Sequence, residues 1–192
     1  FGLYTPLQGA PVIGDALAKL AGLPVQATMV GKGQDGPATR AAAAGNPRVR
    51  WLDWVAPDEL PRLVARHDVC LGIFGTGPKA LRVVPNKVFQ GAAAGCAIVT
   101  SDTAPQRRLL GDAALFVPSG DAEALAETLL RLSRDRGELR RARQAARRLA
   151  LSSFAAEQIV RPLNERIGGS SGGPNTEQLT AYDGESVTRG PA

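Results

Sequence analysis

One stretch of the sequence, residues 68–102, constrains the fold more than any other. A short apolar run at 69–74 is followed by a loop rich in glycine, proline, lysine and arginine, and then by a helical pattern at 86–94. Gly95 suits the C-cap of that helix, and a second apolar run occupies 96–100. Apolar runs of this length bounded by glycine are typical of strands buried on both faces. The stretch therefore predicts a strand–loop–helix–strand unit.

The same alternation of patterns extends along most of the chain. Helical stretches repeat apolar residues at i, i+3, i+4 and i+7, as Ile13, Ala16, Leu17 and Leu20 do. Alternating strands and helices predict an α/β fold, a Rossmann-like, doubly wound and mainly parallel sheet flanked by helices. The predicted strands are 25–30, 49–52, 69–74, 96–100 and 114–117. The predicted helices lie around 13–20 and 38–44, at 86–94, 106–110, 138–151 and 154–167, and directly after Asp58 and Asp121, each of which we expect to cap the helix that follows it.

The character of the sequence changes at Gly168. The chain has 192 residues, 44% of them hydrophobic, which is enough for one well-cored domain at 1–167. Residues 168–173 are all glycine or serine, and the sequence from there to residue 192 is polar. We therefore predict a Gly/Ser linker and a disordered tail over 168–192, with Asp183-Gly184 as a hairpin signal within it.

Several expectations concern the compartment and metal binding. The sequence has no apolar run of about 18 residues and no basic region before an apolar one, which predicts neither a membrane span nor a signal peptide. Cys70 and Cys96 fall in predicted buried strands, as small core residues kept reduced in the cytoplasm would. His67 is the only histidine, and we expect it to cap the C-terminal end of a helix. With one histidine and two buried cysteines we expect no metal site.

Charge is the next constraint on partners. The net charge is +5, and the tail from Gly168 contains three carboxylates and one arginine, so the remainder carries +7. A basic domain can attract phosphates, anionic lipid or nucleic acid, whereas arginines on solvated helix faces produce the same excess. The helix at 138–151 has an alanine-rich face without tryptophan or phenylalanine anchors. We expect that face to pack against the sheet, and we expect no nucleic-acid partner.

The loop of the organising stretch has the features of an anion site. Lys79, Arg82 and Lys87 surround a predicted helix N-terminus at Asn86. Backbone N–H groups and the positive end of the helix dipole favour anions at such a position, and the anion is most often a phosphate.

A dinucleotide fingerprint provides an alternative. Gly31, Gly33 and Gly36 match G-x-G-x-x-G after the strand at 25–30, and Asp53 follows at a suitable distance. A complete strand–helix unit precedes this motif, although the fingerprint normally belongs to the first such unit. A plain strand-to-helix turn explains the glycines equally, so an NAD-type oxidoreductase domain stays an alternative.

The segment PNKVFQGAAAGCAIVTSD, residues 85–102, resembles the donor-binding segment of retaining GT-B glycosyltransferases of the glycosyl transferases group 1, or family 4, type. The likeness lies in a helix ending at an Ala-Gly turn, then a strand and a loop of small and acidic residues. A family glutamate that binds the ribose of the nucleotide sugar corresponds to Gln90, and a second glutamate eight positions earlier corresponds to Arg82. Because this pair is absent, the catalytic residues are left unassigned.

The resemblance also implies positions in the donor site. Trp54 and Val55 correspond to the segment beside the nucleotide base, although packing at a strand end would explain them equally. A family basic pair in the first loop corresponds to Leu3 and Gln8. The implied donor-binding residues are Gly2, Gln8, Gly9, Trp54, Val55, Gly75, Thr76, Gly77, Lys79, Arg82, Asn86, Lys87 and Gln90.

Taken together, the resemblance, which covers 1–167, implies the C-terminal, donor-binding domain of a hexosyltransferase. Its expected partner is a nucleotide-diphosphate sugar, which is a substrate, and no cofactor is expected. We expect the chain to begin inside its first strand and to lack the N-terminal acceptor domain, so that it binds donor without transferring sugar efficiently. Peripheral membrane contact is an expectation for the intact enzyme. A non-catalytic nucleotide-binding or scaffold domain is a further alternative, because both glutamates are replaced.

Overall fold

A computed structural model describes residues 1–154, 160 and 165–167. The chain divides into two units, Phe1–Ala155 and Ala156–Ala192. The described residues of the second unit are helical.

The predicted linker and tail at 168–192 lie outside the described residues, as does most of the predicted helix at 154–167. The domain boundary after residue 167 therefore stays a prediction.

Helices and strands alternate through the first unit, which is the basis of the α/β fold. Short 3-10 turns lie at Ala80–Arg82 and Gly111–Ala113. The helices are α1 (Ala10–Lys19), α2 (Gly36–Ala42), α3 (Leu60–Ala65), α4 (Asn86–Ala93), α5 (Ala104–Leu110), α6 (Ala122–Arg134) and α7 (Arg136–Ser153). The strands are β1 (Ala27–Val30), β2 (Val49–Leu52), β3 (Val69–Leu71), β4 (Ala97–Ser101) and β5 (Ala114–Val117).

All strand pairs among the described residues are parallel, as the alternation of elements predicts. β1 pairs with β2 and places Ala27 opposite Val49. In a separate three-stranded sheet β4 lies between β3 and β5, so that Ile98 has Cys70 on one side and Ala114 on the other. The five strands occupy the predicted places, and the predicted fold class is confirmed.

The strand ends differ from the prediction, most clearly at β3, which ends at Leu71 and not at residue 74. The Gly72 N–H still donates to the Val99 carbonyl at 2.8 Å, but a Cβ on Gly72 would overlap the Thr100 side chain. After Gly72 the regular ladder is interrupted, although the Ser101 N–H still donates to the Ile73 carbonyl at 3.2 Å, and Ile73 and Phe74 are fully buried without belonging to a strand. The apolar run correctly predicts their burial, and the close contact with β4 decides where pairing stops.

Helices cover both faces of the three-stranded sheet. Leu17 of α1 and Leu125 of α6 belong to one apolar cluster, which also contains Val99 of β4. Val88 of α4 and Ala146 of α7 belong to the other, with Ile98. Burial of the alanine-rich face of α7 confirms that this face packs inside the domain.

Helix capping follows the sequence at one predicted position and departs from it at another. Asp121 accepts the Ala124 N–H at 2.9 Å and caps α6, as predicted. The prediction that Asp58 caps the next helix is wrong, because Glu59 is the N-cap of α3 and makes no side-chain capping bond. The Ala56 carbonyl already accepts the N–H groups of Glu59 and Leu60, so the first turn has a backbone acceptor. Asp135, which we did not predict as a cap, accepts the Glu138 N–H at 2.8 Å and begins α7.

The predicted contact of the histidine at the helix end and the predicted burial of both cysteines are confirmed. The His67 Nδ1 lies 2.9 Å from the Leu63 carbonyl at the end of α3, and its Nε2 lies 2.9 Å from Thr28 Oγ1 of β1. Cys70 and Cys96 are buried free thiols, and burial raises the pKa of Cys96 to about 12. These side chains hold elements together and are not placed for nucleophilic chemistry.

Removing the α6 cap should destabilise the domain. We expect Asp121→Ala to lower the free energy of unfolding by about 1 kcal/mol, because one N–H of the first turn loses its acceptor. Asp121→Asn keeps a capping oxygen and should lose much less. Urea denaturation of the two variants measures the difference, and equal losses would contradict a capping role.

Candidate functional site

The carboxyl ends of parallel strands are the expected place for a ligand site, because their loops meet at one edge of the sheet. In this chain that edge also receives the first residues, which run from Phe1 to the N-cap of α1 at Gly9. The edge is therefore formed by the N-terminal segment, residues 1–9, and by the loops that follow the strands.

Backbone contact joins the N-terminal segment to the loop after β1. The Gly2 N–H donates to the Val30 carbonyl at 3.0 Å, and the Tyr4 N–H donates to the Lys32 carbonyl at 2.9 Å. A Cβ on Gly31, whose φ is 130°, would overlap the Gly2 carbonyl. The two backbones can lie this close only because Gly31 has no side chain.

These contacts account for the dinucleotide fingerprint. A Cβ on Gly33 would overlap the Tyr4 backbone, so the second glycine also accommodates the chain itself. Asp53 forms ion pairs with Lys32 and Arg40, each at 3.1 Å. In a dinucleotide site the second glycine would admit a pyrophosphate and the acidic residue would bind a ribose. Here the Tyr4 backbone already packs against Gly33, and Asp53 is already engaged in ion pairs.

A second close contact joins the N-terminal segment to the loop after β3. A Cβ on Gly9 would lie 2.5 Å from the Phe74 carbonyl carbon, and one on Gly75 would overlap the Pro6 carbonyl. The Phe74 N–H donates to the Gln8 carbonyl at 3.0 Å, and the Gly120 N–H donates to the Phe74 carbonyl at 3.0 Å. Phe74 thus connects the loops before α1, after β3 and after β5.

Lys87, in the first turn of α4, places its ammonium beside the N-terminal segment. Its Nζ lies 3.6 Å from where a Gly2 side chain would begin. Burial lowers the pKa of Lys87 to about 8, because desolvation disfavours the ammonium. In the part of the chain that the structure describes, no carboxylate forms an ion pair with it. The site therefore contains a desolvated cation without a counter-ion.

Buried polar atoms without hydrogen-bond partners lie in the same loops. They are the Tyr4 hydroxyl, Gln8 Oε1, Thr103 Oγ1 and Ser119 Oγ. Tyr4 is 4% exposed, and burial raises the pKa of its hydroxyl to about 12. Most buried polar atoms in proteins are hydrogen-bonded, so each of these unpaired atoms can pair with a polar ligand or with water.

Of these four residues only Gln8 belongs to the site predicted from the sequence. Tyr4, Thr103 and Ser119 were missed because hydroxyl residues are common in loops. For Thr103 and Ser119 the available signal was their position after strands β4 and β5, since parallel strands converge on one edge; Tyr4, in the N-terminal segment, carried no such signal.

The structure brings six of the predicted site residues to this junction. Contacts described above join Gln8, Gly9 and Gly75, while the Lys87 ammonium reaches Gly2. A Cβ on Gly120 would lie 2.7 Å from Thr76 Cγ2, which places Thr76 beside the loop after β5.

The other predicted residues are arranged around the junction without a described contact to it. Trp54 is 72% exposed, which excludes packing at the strand end as its role. Gln90 is exposed and lies three residues after Lys87, on the same face of α4. Val55 is half-buried, and Gly77, Lys79, Arg82 and Asn86 are exposed.

A buried glutamine side chain forms hydrogen bonds with the carboxyl end of β4. Gln106 of α5 is 0% exposed; its Oε1 accepts from Thr100 Oγ1 at 2.5 Å, and its Nε2 donates to Ser101 Oγ at 2.9 Å and to the Ser101 carbonyl at 3.1 Å. Thr100 Oγ1 in turn lies 3.4 Å from the Ile73 N–H. The network fixes the carboxyl end of β4 against the chain that leads to Gly75.

The described residues also bear on metal binding and on membrane insertion. No group of three His, Cys, Asp or Glu side chains there is arranged to hold a metal ion. None of the described helices is long and apolar enough to cross a membrane.

Comparison with known proteins gives one family. A family model for glycosyl transferases group 1 matches residues 2–135. No curated protein matches the chain.

Several solved structures share the fold. Anabaena HepE in complex with UDP has a TM-score of 0.74 at 20% identity, over 88% of this chain and 47% of HepE. The C-terminal domain of LpcC, a glycosyl transferase group 1 protein of Francisella tularensis, has a TM-score of 0.65 at 15% identity, over 81% of this chain and 84% of that domain. Sucrose-phosphate synthase of Thermosynechococcus elongatus has a TM-score of 0.69 at 17% identity, over 88% and 45%. The chain thus spans about half the length of HepE and the synthase.

Removing the buried amide tests its support of the edge. We expect Gln106→Leu to lower the free energy of unfolding by about 1–3 kcal/mol, because Thr100 and Ser101 keep buried polar atoms that lose their partner. Gln144→Leu replaces an exposed glutamine of α7 and should change it by less than about 0.5 kcal/mol. Urea denaturation compares them, and similar values would contradict the supporting role.

Proposed function

Because its family model matches residues 2–135, the chain belongs to the glycosyl transferases group 1 family, and we propose that its carboxyl edge binds the nucleotide diphosphate of a sugar donor. The observation that carries the proposal is the unpaired polarity of that edge. Lys87 is desolvated without a described counter-ion, and four buried polar atoms in the adjoining loops have no partner.

A nucleoside diphosphate would satisfy the donors among these groups, whereas Gln8 Oε1 is an acceptor and would need a donor such as a ribose hydroxyl. Its phosphate oxygens are anionic acceptors for the Lys87 ammonium and for N–H groups at the start of α4. Hydroxyls such as those of Thr103 and Ser119 donate to the same kind of oxygen. That Anabaena HepE is known in complex with UDP supports this choice of ligand class.

The remaining donor contacts follow from the positions of exposed side chains. Gln90, on the same face of α4 as Lys87, is placed to hydrogen-bond ribose hydroxyls as donor and acceptor. Trp54 offers an exposed aromatic surface to the nucleotide base, with the Val55 backbone beside it. Lys79, Arg82 and Asn86 would add charge and polarity around the phosphates.

In the transfer reaction the nucleoside diphosphate is the leaving group. Negative charge develops on the bridging phosphate oxygen as the bond to the sugar breaks, and a fixed cation stabilises it most when solvent is excluded. Lys87 is the residue of this chain that fits that role. The acceptor would be bound by a further domain, and the nucleotide sugar is the donor substrate of the proposed reaction, which uses no cofactor.

Two features of the chain bear on its cellular compartment and on membrane contact. The buried free thiols Cys70 and Cys96 suit a reducing compartment such as the cytoplasm. The exposed arginines of α7 are where the intact enzyme would touch an anionic membrane surface.

A donor-binding domain without transfer activity is the second candidate function. It is favoured by the replacement of both family glutamates, since Gln90 and Arg82 cannot supply carboxylates. Nucleotide binding would be retained in this case, and sugar transfer by the intact protein would be absent.

Substitutions of Lys87 and Gln90 should weaken nucleotide binding to different extents. We expect Lys87→Ala to weaken binding of UDP or GDP by about 1.5–3 kcal/mol, because a charge-assisted hydrogen bond is lost. Gln90→Ala should cost about 0.5–1.5 kcal/mol, as for one neutral hydrogen bond. Isothermal titration calorimetry measures both.

Asp53→Ala is the matched control for these substitutions. It should alter nucleotide affinity by less than about 0.5 kcal/mol, since Asp53 belongs to a separate ion-pair group. Binding that ignores Lys87 and Gln90 but depends on Asp53 would overturn the proposed site.

The pH dependence of binding should report Lys87. Its pKa of about 8 means that the free protein has a charged ammonium below that pH and loses it above. Diphosphate favours the charged form, so affinity should be highest below about pH 8 and fall as pH rises through it. Titrations at pH 7 and pH 9.5 should differ for the wild type and agree for Lys87→Ala. An equal fall in both would assign the dependence to another group.

A further inference from the structure

The proposed donor site has a direction, because its base and diphosphate contacts lie in different loops. Trp54 follows β2, whereas Lys87 belongs to α4, which connects β3 to β4. A donor with its base at Trp54 and its diphosphate at Lys87 therefore runs from the sheet of β1 and β2 toward the sheet of β3, β4 and β5. The sugar, at the far end of the diphosphate, would lie over the loops that follow these three strands.

Contacts among the loops after β3, β4 and β5 make them one surface. A Cβ on Gly120 would lie 2.7 Å from Thr76 Cγ2, which joins the loop after β5 to the loop after β3. The Asp102 N–H donates to the Val117 carbonyl at 2.7 Å, which joins the loop after β4 to the end of β5. The 3-10 turn at Ala80–Arg82 packs against α5, the helix after β4. The three loops therefore offer their side chains to the same part of a bound donor.

Lys79 and Arg82 are the cations of the loop after β3. The turn that carries them is held in place, because the Arg82 N–H donates to the Lys79 carbonyl at 3.1 Å and Ala80 is 1% exposed. Lys79 and Arg82 are themselves exposed, and no carboxylate in the described part of the chain forms an ion pair with either. Exposed cations without counter-ions attract an anionic part of a ligand.

The positive charge at this place exceeds that of a bound diphosphate. A diphosphate esterified at both ends carries one negative charge on each phosphate. Lys79, Arg82 and Lys87 together carry three positive charges. In the proposed site Lys87 and the N-terminal end of α4 already face the phosphates. A further negative charge on the donor would therefore complete the pairing of these cations.

The carboxylates of the neighbouring loops are already engaged. Asp102, after β4, accepts from Nε and Nη2 of Arg107 at 2.5 Å each, and Asp121, after β5, accepts the Ala124 N–H. The loop after β3 contains no carboxylate. The hydroxyls of a neutral sugar donate as well as accept, and donors left unpaired weaken binding. The described surface thus offers a neutral sugar cations and hydroxyls but no free carboxylate.

We propose that the donor sugar carries a carboxylate, as a uronic acid does, and that Arg82 binds this carboxylate with Lys79 beside it. The guanidinium of Arg82 presents two parallel N–H groups that match the two oxygens of one carboxylate, whereas a hydroxymethyl group has a single oxygen. The inference rests on the proposed function, because it assigns the chemical class of the sugar in the same donor site.

The test compares two donors that differ only at C6 of the sugar. UDP-glucuronic acid has a carboxylate at this carbon, and UDP-glucose has a hydroxymethyl group. Isothermal titration calorimetry of the chain should show at least about tenfold tighter binding of UDP-glucuronic acid, as for one charge-assisted hydrogen-bonded pair. If the chain binds GDP and not UDP, GDP-mannuronic acid and GDP-mannose are the equivalent pair of donors.

Variants of Arg82 assign the preference to this side chain. Arg82→Ala should remove the difference between the two affinities while UDP still binds. Arg82→Glu should reverse the preference, because a carboxylate repels the uronate and accepts from the hydroxyl of UDP-glucose.

Arg140→Ala is the matched control for Arg82→Ala. It removes an exposed arginine from the first half of α7, which begins at Arg136 beside Asp68, at the amino end of β3 and away from the site. The ratio of the two affinities should be the same in this variant as in the wild type.

The outcomes separate this inference from the proposed function. Equal binding of the two donors, with UDP or GDP still bound, would overturn the inference and leave the proposed function standing. A preference for the uronate that persists in Arg82→Ala would overturn it too, because another group would then bind the carboxylate. Failure of both UDP and GDP to bind the wild type would overturn the proposed function and the inference with it.

Discussion

The close packing of backbone against backbone at the carboxyl edge is the constraint on which this structure depends. The N-terminal segment contacts the loop after β1 at Gly31 and Gly33, and the loop after β3 at Gly9 and Gly75. A Cβ at any of these positions would overlap another part of the main chain. Glycine is therefore needed for the contact itself, and these contacts fix the loops that carry the candidate site.

This packing has an electrostatic consequence. Loops held so close together exclude water from Lys87 and from the Tyr4 hydroxyl. Desolvation lowers the pKa of Lys87 and raises the pKa of Tyr4, so the neutral form of each is favoured. Desolvated polar groups without partners are costly in an unliganded fold and favourable for binding. The contacts that hold the loops together thus also desolvate the polar groups that we propose to bind a diphosphate.

Local patterns in the sequence were sufficient for most of the elements. Short apolar runs placed all five strands, and Asp121 was correctly identified as a helix cap. The Asp58 cap failed because a backbone carbonyl, that of Ala56, occupies the first turn of α3 instead. The resemblance carried by residues 85–102 identified the family that the comparisons show. Propensity and periodicity act over a few residues, which is why they predict elements better than element ends.

The sequence by itself determined the α/β alternation, the burial of both cysteines and the family. Tertiary structure alone decided what the glycines of G-x-G-x-x-G are for, because their close neighbours, Gly2 and Tyr4, are remote in the chain. It also decided that Lys87 is desolvated. Each of these properties depends on the distance between segments far apart in sequence, and no local pattern encodes that distance.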